Sequence, residues 1–298
     1  MGRWTKLVAV AAAVCAFVAP AAAAPARTLG KTAVKTAERP YLGAIAVESP
    51  GGRVLFADSP DIACYPASCT KLMTARLLLK AVSSGKRKLD DRIVQTDVSC
   101  REEPSKLDLA PGESVSVRDA LAAIMVKSAN DIALAIAEDL AGSRESFAAE
   151  MNAEAAKLGM TNTVFVSPNG LPPAKRDSGR GYDRSTPRDL ARLALAIIDE
   201  QPEILEYTSM KSVKIPCRGG KVLELGNHNK LLWKSDPKTA EVDGLKTGFF
   251  SKAGFNIVLT GTRNGKRVVA VVAGSPSWRS RDAEAARILK DALEAIDW

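Results

Sequence analysis

Pro66-Ala67-Ser68-Cys69-Thr70-Lys71-Leu72-Met73-Thr74 runs on into Leu77, Leu78 and Leu79. This spacing predicts a helix over residues 66–82, with Ser68 at its N-terminus and Lys71 one turn later. Residues three apart on a helix are surface neighbours, about 5–6 Å between Cβ atoms. The pattern therefore puts a hydroxyl and an amine side by side, where free backbone N–H groups and the helix dipole stabilise a developing oxyanion. A serine nucleophile needs a base, and His228 is the single histidine in 298 residues. One histidine rules out a multi-histidine zinc site and leaves little room for a Ser-His-Asp triad. An amine takes the role when burial or a second cation depresses its pKa.

Ser-x-x-Lys alone is a weak pattern, because it recurs at Ser83/Lys86 and Ser235/Lys238. Ser83 leads into Ser84-Gly85 and the basic run Lys86-Arg87-Lys88, and Ser235 into Asp236-Pro237, so both predict solvated turns. Ser-x-Asn occurs twice. Ser128-Ala129-Asn130 falls at the junction of two helices, where a hydroxyl and an amide project together into a cleft; Ser167-Pro168-Asn169 precedes Gly170 and reads as a turn. Lys246-Thr247-Gly248 occurs once, just before the C-terminal strands. Three triplets in this order, each in a suitable setting, form a joint signal that none carries alone.

Around these motifs the periodicity changes twice. Residues 41–48 and 52–57 are apolar, β-rich runs about Ser49-Pro50-Gly51 and predict a hairpin. Capping boxes at Ser116 to Asp119 and at Thr186 to Asp189, the latter with Pro187 at the first helical position, open helices. Further helices are predicted over 129–140, 143–158 and 190–198. Residues 255–261 and 267–273 flank Asn264-Gly265, a strong hairpin signal. The chain closes on an amphipathic helix over 281–296, whose stripe of Ile288, Leu289, Ala292, Leu293 and Ile296 is expected to pack on a sheet and not on a membrane. Strands at both ends enclose a helical middle. The predicted class is α+β: an antiparallel sheet built from both chain ends, flanked by helices, with a helical insertion lobe.

The composition, 46% hydrophobic and 26% charged, excludes disordered and low-complexity classes. Arg3 and Lys6 precede an uncharged stretch from Leu7 to Ala24 broken by Pro20, which reads as a secretory signal peptide over 1–23. A flexible lead, 24–39, then precedes a catalytic domain over 40–298. The formal charge of +8 becomes +6 once Arg3 and Lys6 are removed. These charges are scattered, which argues against a nucleic-acid patch. Cys64, Cys69, Cys100 and Cys217 would enter an oxidising compartment; three pairings are open, as is a set of buried free thiols.

Ser68-Cys69-Thr70-Lys71, Ser128-Ala129-Asn130 and Lys246-Thr247-Gly248 are the signatures of penicillin-binding proteins and serine β-lactamases. With Gly170-Leu171-Pro172, Asn229-Lys230-Leu231-Leu232 and Val242-Asp243-Gly244-Leu245, the chain resembles the low-molecular-mass D-alanyl-D-alanine carboxypeptidases from about residue 40 to its end. The resemblance implies a β-lactamase/transpeptidase-like fold, no metal and no cofactor, a peptidoglycan stem peptide as substrate, β-lactams as covalent inhibitors, and a periplasmic or wall-associated location. It implies Ser68 as nucleophile, Lys71 as base and Ser128 as proton relay. Asn130, Lys246, Thr247, Gly248, Phe249 and Arg281 would bind substrate, with the N–H groups of Ser68 and Phe249 as oxyanion donors and Gly248 leaving room for substrate backbone. Family members often carry a β-rich second domain and an amphipathic anchor, and neither is expected here. Phe249 and Phe250 depart from the polar or tyrosyl residue and threonine that often follow the Lys-Thr-Gly triplet. A β-lactamase would need a second base to activate water, and no Glu followed closely by Leu-Asn lies between Asn130 and Lys246. D,D-transpeptidation or endopeptidation on the same scaffold stays open.

Overall fold

The computed structural model describes residues 39–174, 179–217, 221–234 and 240–296. The predicted signal peptide, nearly all of the lead, and the Ser235/Lys238 triplet fall outside the described residues. Strands β1 (Gly43–Ser49) and β2 (Val54–Asp58) form the N-terminal hairpin. The Ser68 segment begins as a 3-10 turn, Ala67–Thr70, with Ala67 at φ +49°, and continues as helix α1 (Lys71–Ser83). A short antiparallel pair follows, β3 (Arg92–Val94) with β4 (Ser114–Ser116), then helix α2 (Val117–Ala122), a π-turn over Ala123–Lys127, α3 (Asn130–Ala141) and α4 (Arg144–Lys157). Helices α5 (Pro187–Glu200) and α6 (Ile204–Thr208) lead to a second small pair, β5 (Ser212–Pro216) with β6 (Val222–Gly226). Strands β7 (Glu241–Phe250), β8 (Gly254–Arg263) and β9 (Lys266–Ser275) and helix α7 (Trp278–Ile296) complete the chain.

The two ends of the chain meet in one five-stranded antiparallel sheet, ordered β2-β1-β9-β8-β7. Its register is set by period-two alternation. Ala44 and Ala46 of β1, with Val268, Ala270 and Val272 of β9, face α7 and meet the stripe of Ala285, Ile288, Leu289, Ala292, Leu293 and Ile296. Ile45, Val47, Val269 and Val271 face the other way, into the main core with α1 and α5. Each large aliphatic side chain fully buried in this way contributes about 1.5–3 kcal/mol. Asn264 (φ +52°) and Gly265 (φ +75°) close the β8/β9 hairpin with two consecutive positive φ angles, the geometry that Asn-Gly supplies at least cost.

In the helical lobe, Ser116 and Thr186 each accept from the N–H of the residue three on, at 3.0 and 3.1 Å, so both act as N-caps where the capping boxes are predicted. Helix α3 is buried around nearly its whole circumference, from Asn130 to Ala137 and again at Leu140, and forms the lobe's axis. The buried Arg76 guanidinium ties three helices: from α1 it reaches Glu154 of α4 at 2.9 Å and Glu200 of α5 at 2.7 Å.

Two features differ from the sequence reading. The Lys-Thr-Gly triplet lies within a ten-residue strand, β7, whose Asp243, Gly244, Lys246 and Gly248 dilute the usual β pattern. The two small strand pairs are not among the predicted elements: β3 and β4 are only three residues long, while β5 alternates Val213 and Ile215 with polar residues. Cys64, Cys69, Cys100 and Cys217 are all free thiols, the alternative left open beside the three pairings, with Cys64 and Cys69 buried and Cys100 and Cys217 half-buried. Ser83 and Lys86 are exposed at the end of α1, as their sequence context implies.

Arg76→Met leaves the buried Glu154 carboxylate with lysines alone and is expected to lower the unfolding free energy by about 3 kcal/mol. The double variant Arg76→Met/Glu154→Met should recover much of that loss, because the uncompensated charge is gone. Urea denaturation of parent, single and double variants checks this, and a loss below about 1 kcal/mol in the single variant would refute the tie's importance.

Candidate active site

Ser68 is the second residue of the 3-10 turn and Lys71 the first of α1, so one helical turn brings Lys71 Nζ to 3.0 Å from Ser68 Oγ. Lys71 is completely buried. Its amine donates to two further acceptors, Asn130 Oδ1 at 2.6 Å and the Asn169 carbonyl at 2.8 Å. None of the three acceptors carries a formal charge. Burial, and then the positive charge of Lys246, push the Lys71 pKa well below the ordinary lysine value. An amine whose neutral form is favoured in this way is able to accept the Ser68 proton.

The second triplet reaches the same point from the helical lobe. The π-turn ends at Ser128 in the left-handed region, φ +61°, and α3 begins at Asn130. Ser128 Oγ is buried and has no hydrogen-bond partner within the described protein. Asn130 is held from behind: its Nδ2 donates to the Glu103 carbonyl at 3.0 Å and its backbone N–H to the Ser105 carbonyl at 2.7 Å.

Strand β7 is the sheet edge and supplies the third triplet. Lys246 is buried, and burial, reinforced by Arg281, lowers its pKa to about 8 although Cys69 opposes the shift. A Cβ at Gly248 would stand 2.6 Å from the Pro66 carbonyl oxygen and 3.0 Å from the Ser68 nitrogen. Glycine there is what lets β7 seat directly against the nucleophile turn, a protein contact that the sequence reading, with substrate backbone in mind, did not foresee. Cys69 is buried in the same junction, its Sγ 3.6 Å from the Lys246 carbonyl, and burial pushes its thiol up to about 11. A thiol this protonated is a poor nucleophile.

Between the lobes lies a cavity of about 400 Å³ that Ser68, Ser128, Asn130, Thr247 and Gly248 all line. Arg281 lines it too and is buried; its Nε and Nη2 donate to Asp282 Oδ1 at 2.9 and 2.7 Å, while Glu284 pairs with Arg287. Phe249 and Phe255 stack with ring centroids 4.1 Å apart and, with Trp278 and Leu171, give the cavity an apolar wall. Phe250 instead packs on Tyr65 and Tyr182, away from the cavity lining. His228 lies on the rim.

The sequence reading missed Asn169. The Ser167-Pro168-Asn169-Gly170 segment is a turn, but one pressed on the Ser68 turn: Gly170 has φ +80°, and a Cβ there would fall 1.9 Å from the Ala67 carbonyl oxygen. Buried Asp183 locks the turn in place. Its carboxylate accepts from the Val166 and Ser167 N–H groups, from Ser167 Oγ, and from Thr70 Oγ1 beside Lys71. Also unforeseen is the segment Glu102 to Ser105, whose carbonyls hold Asn130. The sequence marked the turn, through Ser167-Pro168-Asn169 before Gly170 and through the Gly170-Leu171-Pro172 of the resemblance, but not its contact with Lys71.

The sequence profile of the D-alanyl-D-alanine carboxypeptidase family matches residues 32–277. The chain is 36% identical over 266 residues to the D-alanyl-D-alanine carboxypeptidase DacC of Escherichia coli, covering 86% of this chain and 63% of that protein. It thus spans less than two thirds of that relative. It also spans 92% of a D-alanyl-D-alanine carboxypeptidase of a Streptomyces strain, K15, at 29% identity and 89% coverage of this chain. Among solved structures, penicillin-binding protein D2 of Listeria monocytogenes in its ampicillin-bound form superposes with a TM-score of 0.73 at 32% identity, covering 85% of this chain and 98% of that one.

Gly170→Ala combines a strained φ with a backbone overlap and is expected to cost about 2–3 kcal/mol of stability. Gly226→Ala, where an added Cβ meets nothing within 4 Å, serves as the control and should change stability by under about 0.5 kcal/mol. Thermal unfolding of the pair measures the difference, and equal midpoints would overturn the close-approach argument.

Proposed function

The chain belongs to the D-alanyl-D-alanine carboxypeptidase family, and from that premise we propose that it removes the terminal D-alanine of peptidoglycan stem peptides through an acyl-enzyme on Ser68. The observation that carries this reading is the Lys71 amine, wholly buried and 3.0 Å from the Oγ of Ser68, which itself lines the cavity with Thr247 and Gly248. Ser68 Oγ bonds to the carbonyl carbon of the penultimate D-alanine while its proton passes to Lys71 Nζ. The N–H groups of Ser68 and Phe249 receive the oxyanion. The C–N bond then breaks, and the proton travels from Lys71 by way of Ser128 Oγ to the leaving amine. Asn130 holds the substrate amide, and Lys246, Thr247 and Arg281 hold the departing carboxylate. Water hydrolyses the ester and Ser68 regains its proton. A β-lactam enters the same sequence as a cyclic amide and stays as a long-lived ester.

This chemistry belongs outside the cytoplasm, in keeping with the export signal read over 1–23. No helix among the described residues is long and apolar enough to cross a membrane. Transpeptidation, in which an amine replaces water, draws support from the likeness to a Streptomyces K15 DD-transpeptidase, with a TM-score of 0.75 at 26% identity.

Ser68→Ala is expected to abolish covalent labelling by a fluorescent penicillin with the fold intact, and persistent labelling would refute the nucleophile. Lys71→Arg keeps the charge but cannot act as a base near neutral pH, so release of D-alanine from diacetyl-lysyl-D-Ala-D-Ala should fall by about two orders of magnitude or more.

The pH profile has a predicted sign at its basic limb. Lys246 is cationic below about pH 8 and loses its charge above it, so kcat/KM for this carboxylate-bearing peptide should decline as pH rises through 8. A rate that keeps rising to pH 10 would exclude Lys246 as the carboxylate's cation.

A further inference from the structure

Lys71 Nζ has three acceptors, and two of them, Asn130 Oδ1 and the Asn169 carbonyl, are themselves held by one four-residue segment. The Glu103 carbonyl accepts from Asn130 Nδ2 and the Ser105 carbonyl from the Asn130 N–H. Glu102 Oε2 accepts from Asn169 Nδ2 at 2.8 Å, and the same Nδ2 lies 3.4 Å from the Asn130 carbonyl. Glu102 is therefore the one side chain through which the segment grips Asn169. Its other oxygen pairs with Arg144, the first residue of α4, and both side chains are largely buried, 11% and 14% exposed. The brace joins the nucleophile's base to the helical lobe through a carboxylate that does not itself touch the amine.

We propose that Glu102 is a positioning residue for the acylation step: through Asn169 it fixes the carbonyl that receives the Lys71 amine, and its negative charge at one remove tunes how readily that amine accepts the Ser68 proton. The inference rests on the proposed role of Lys71 as base. Lys71 is faced by Lys246 from β7, by Cys69 and Asp183 around its own turn, and by Glu102 from the lobe. Of these Lys246 opposes its positive charge, whereas Glu102, Cys69 and Asp183 favour it. Glu102 has the largest favourable effect of the three. Removing that carboxylate should make Lys71 a weaker base that is free of its proton at lower pH.

The test uses the full mature chain with three substitutions, Glu102→Gln, Glu102→Ala and Arg144→Met, and measures the second-order acylation rate with a fluorescent penicillin from pH 4.5 to 9.5. Glu102→Gln keeps an acceptor for Asn169 and loses the charge. Its acid limb should move down by roughly one pH unit, with a plateau within a few-fold of the parent. Glu102→Ala releases Asn169 and should acylate about tenfold more slowly or worse, a loss that Glu102→Gln does not show. Arg144→Met leaves the Asn169 bond and should cost less than Glu102→Ala.

A purely structural role would lower rates without moving the limb. An unshifted limb in Glu102→Gln, or a Glu102→Ala rate within twofold of the parent, would overturn the proposal. The Lys71 titration is read separately from the Cε chemical shift of labelled lysine, assigned with Lys71→Arg. If the parent were not acylated at all, the carboxypeptidase reading would fail, and the lysine titration in parent and Glu102→Gln would still decide whether Glu102 tunes Lys71.

Discussion

A lysine amine taken wholly out of water, with three neutral acceptors and no carboxylate in contact, is the constraint on which the rest of this structure depends. Burying an uncompensated ammonium costs several kcal/mol even after the protein relaxes, so the amine tends to give up its proton. Lys246, also buried, adds a repulsion that sharpens the tendency. Total stability for a domain of this kind is only about 5–15 kcal/mol, so such a site needs a rigid frame around it. The all-round burial of α3, the Arg76 tie between α1, α4 and α5, and the Asp183 lock on the Asn169 turn supply that frame.

The topology explains why the frame has two halves. Pairing β1 with β9 brings the chain ends together and leaves β7 as the sheet's edge. The unpaired side of β7 faces the nucleophile turn, and Gly248 admits the Pro66 carbonyl at a distance no side chain would allow. An edge strand is ordinarily a liability, because its free N–H and C=O groups pair with other chains. Here Thr247, Gly248 and Phe249 of that edge line a cavity together with Ser128 and Asn130 of the helical lobe.

What the sequence made legible was local. Ser68 and Lys71 are three residues apart, so the helical period alone brings them together, and the hairpin at Asn264-Gly265 follows from two positive φ angles. The single histidine pointed toward lysine as the base before any fold was known. Asn169 and Glu102 were not legible for a physical reason. Asn169 acts on Lys71 through its backbone carbonyl, which every residue type possesses, and Glu102 acts through Asn169, 67 residues away in the chain. Contacts of that kind exist only after the lobes close, and no period or motif encodes them. Strand β7 was half legible: its Lys-Thr-Gly stood out as a triplet, but the glycines that permit its close packing are the residues that hide it as a strand.

The placement of Glu102 follows from the same electrostatic logic. A carboxylate in direct contact with Lys71 would hold the ammonium firmly and remove the base, since an opposite charge within about 4–6 Å raises a lysine's pKa by one to three units. No carboxylate at all would leave Lys246 less opposed and make the amine a weaker base toward the Ser68 proton. A carboxylate behind a neutral asparagine lies between these extremes. Asn169 spends its amide on Glu102 and its carbonyl on Lys71, so the acid anchors the acceptor while staying out of contact with the amine. The arrangement requires an uncharged spacer with one donor and one acceptor pointing in different directions, which is what asparagine's side-chain amide and backbone carbonyl provide. Aspartate at 169 would lack the donor and would place a second negative charge beside the base.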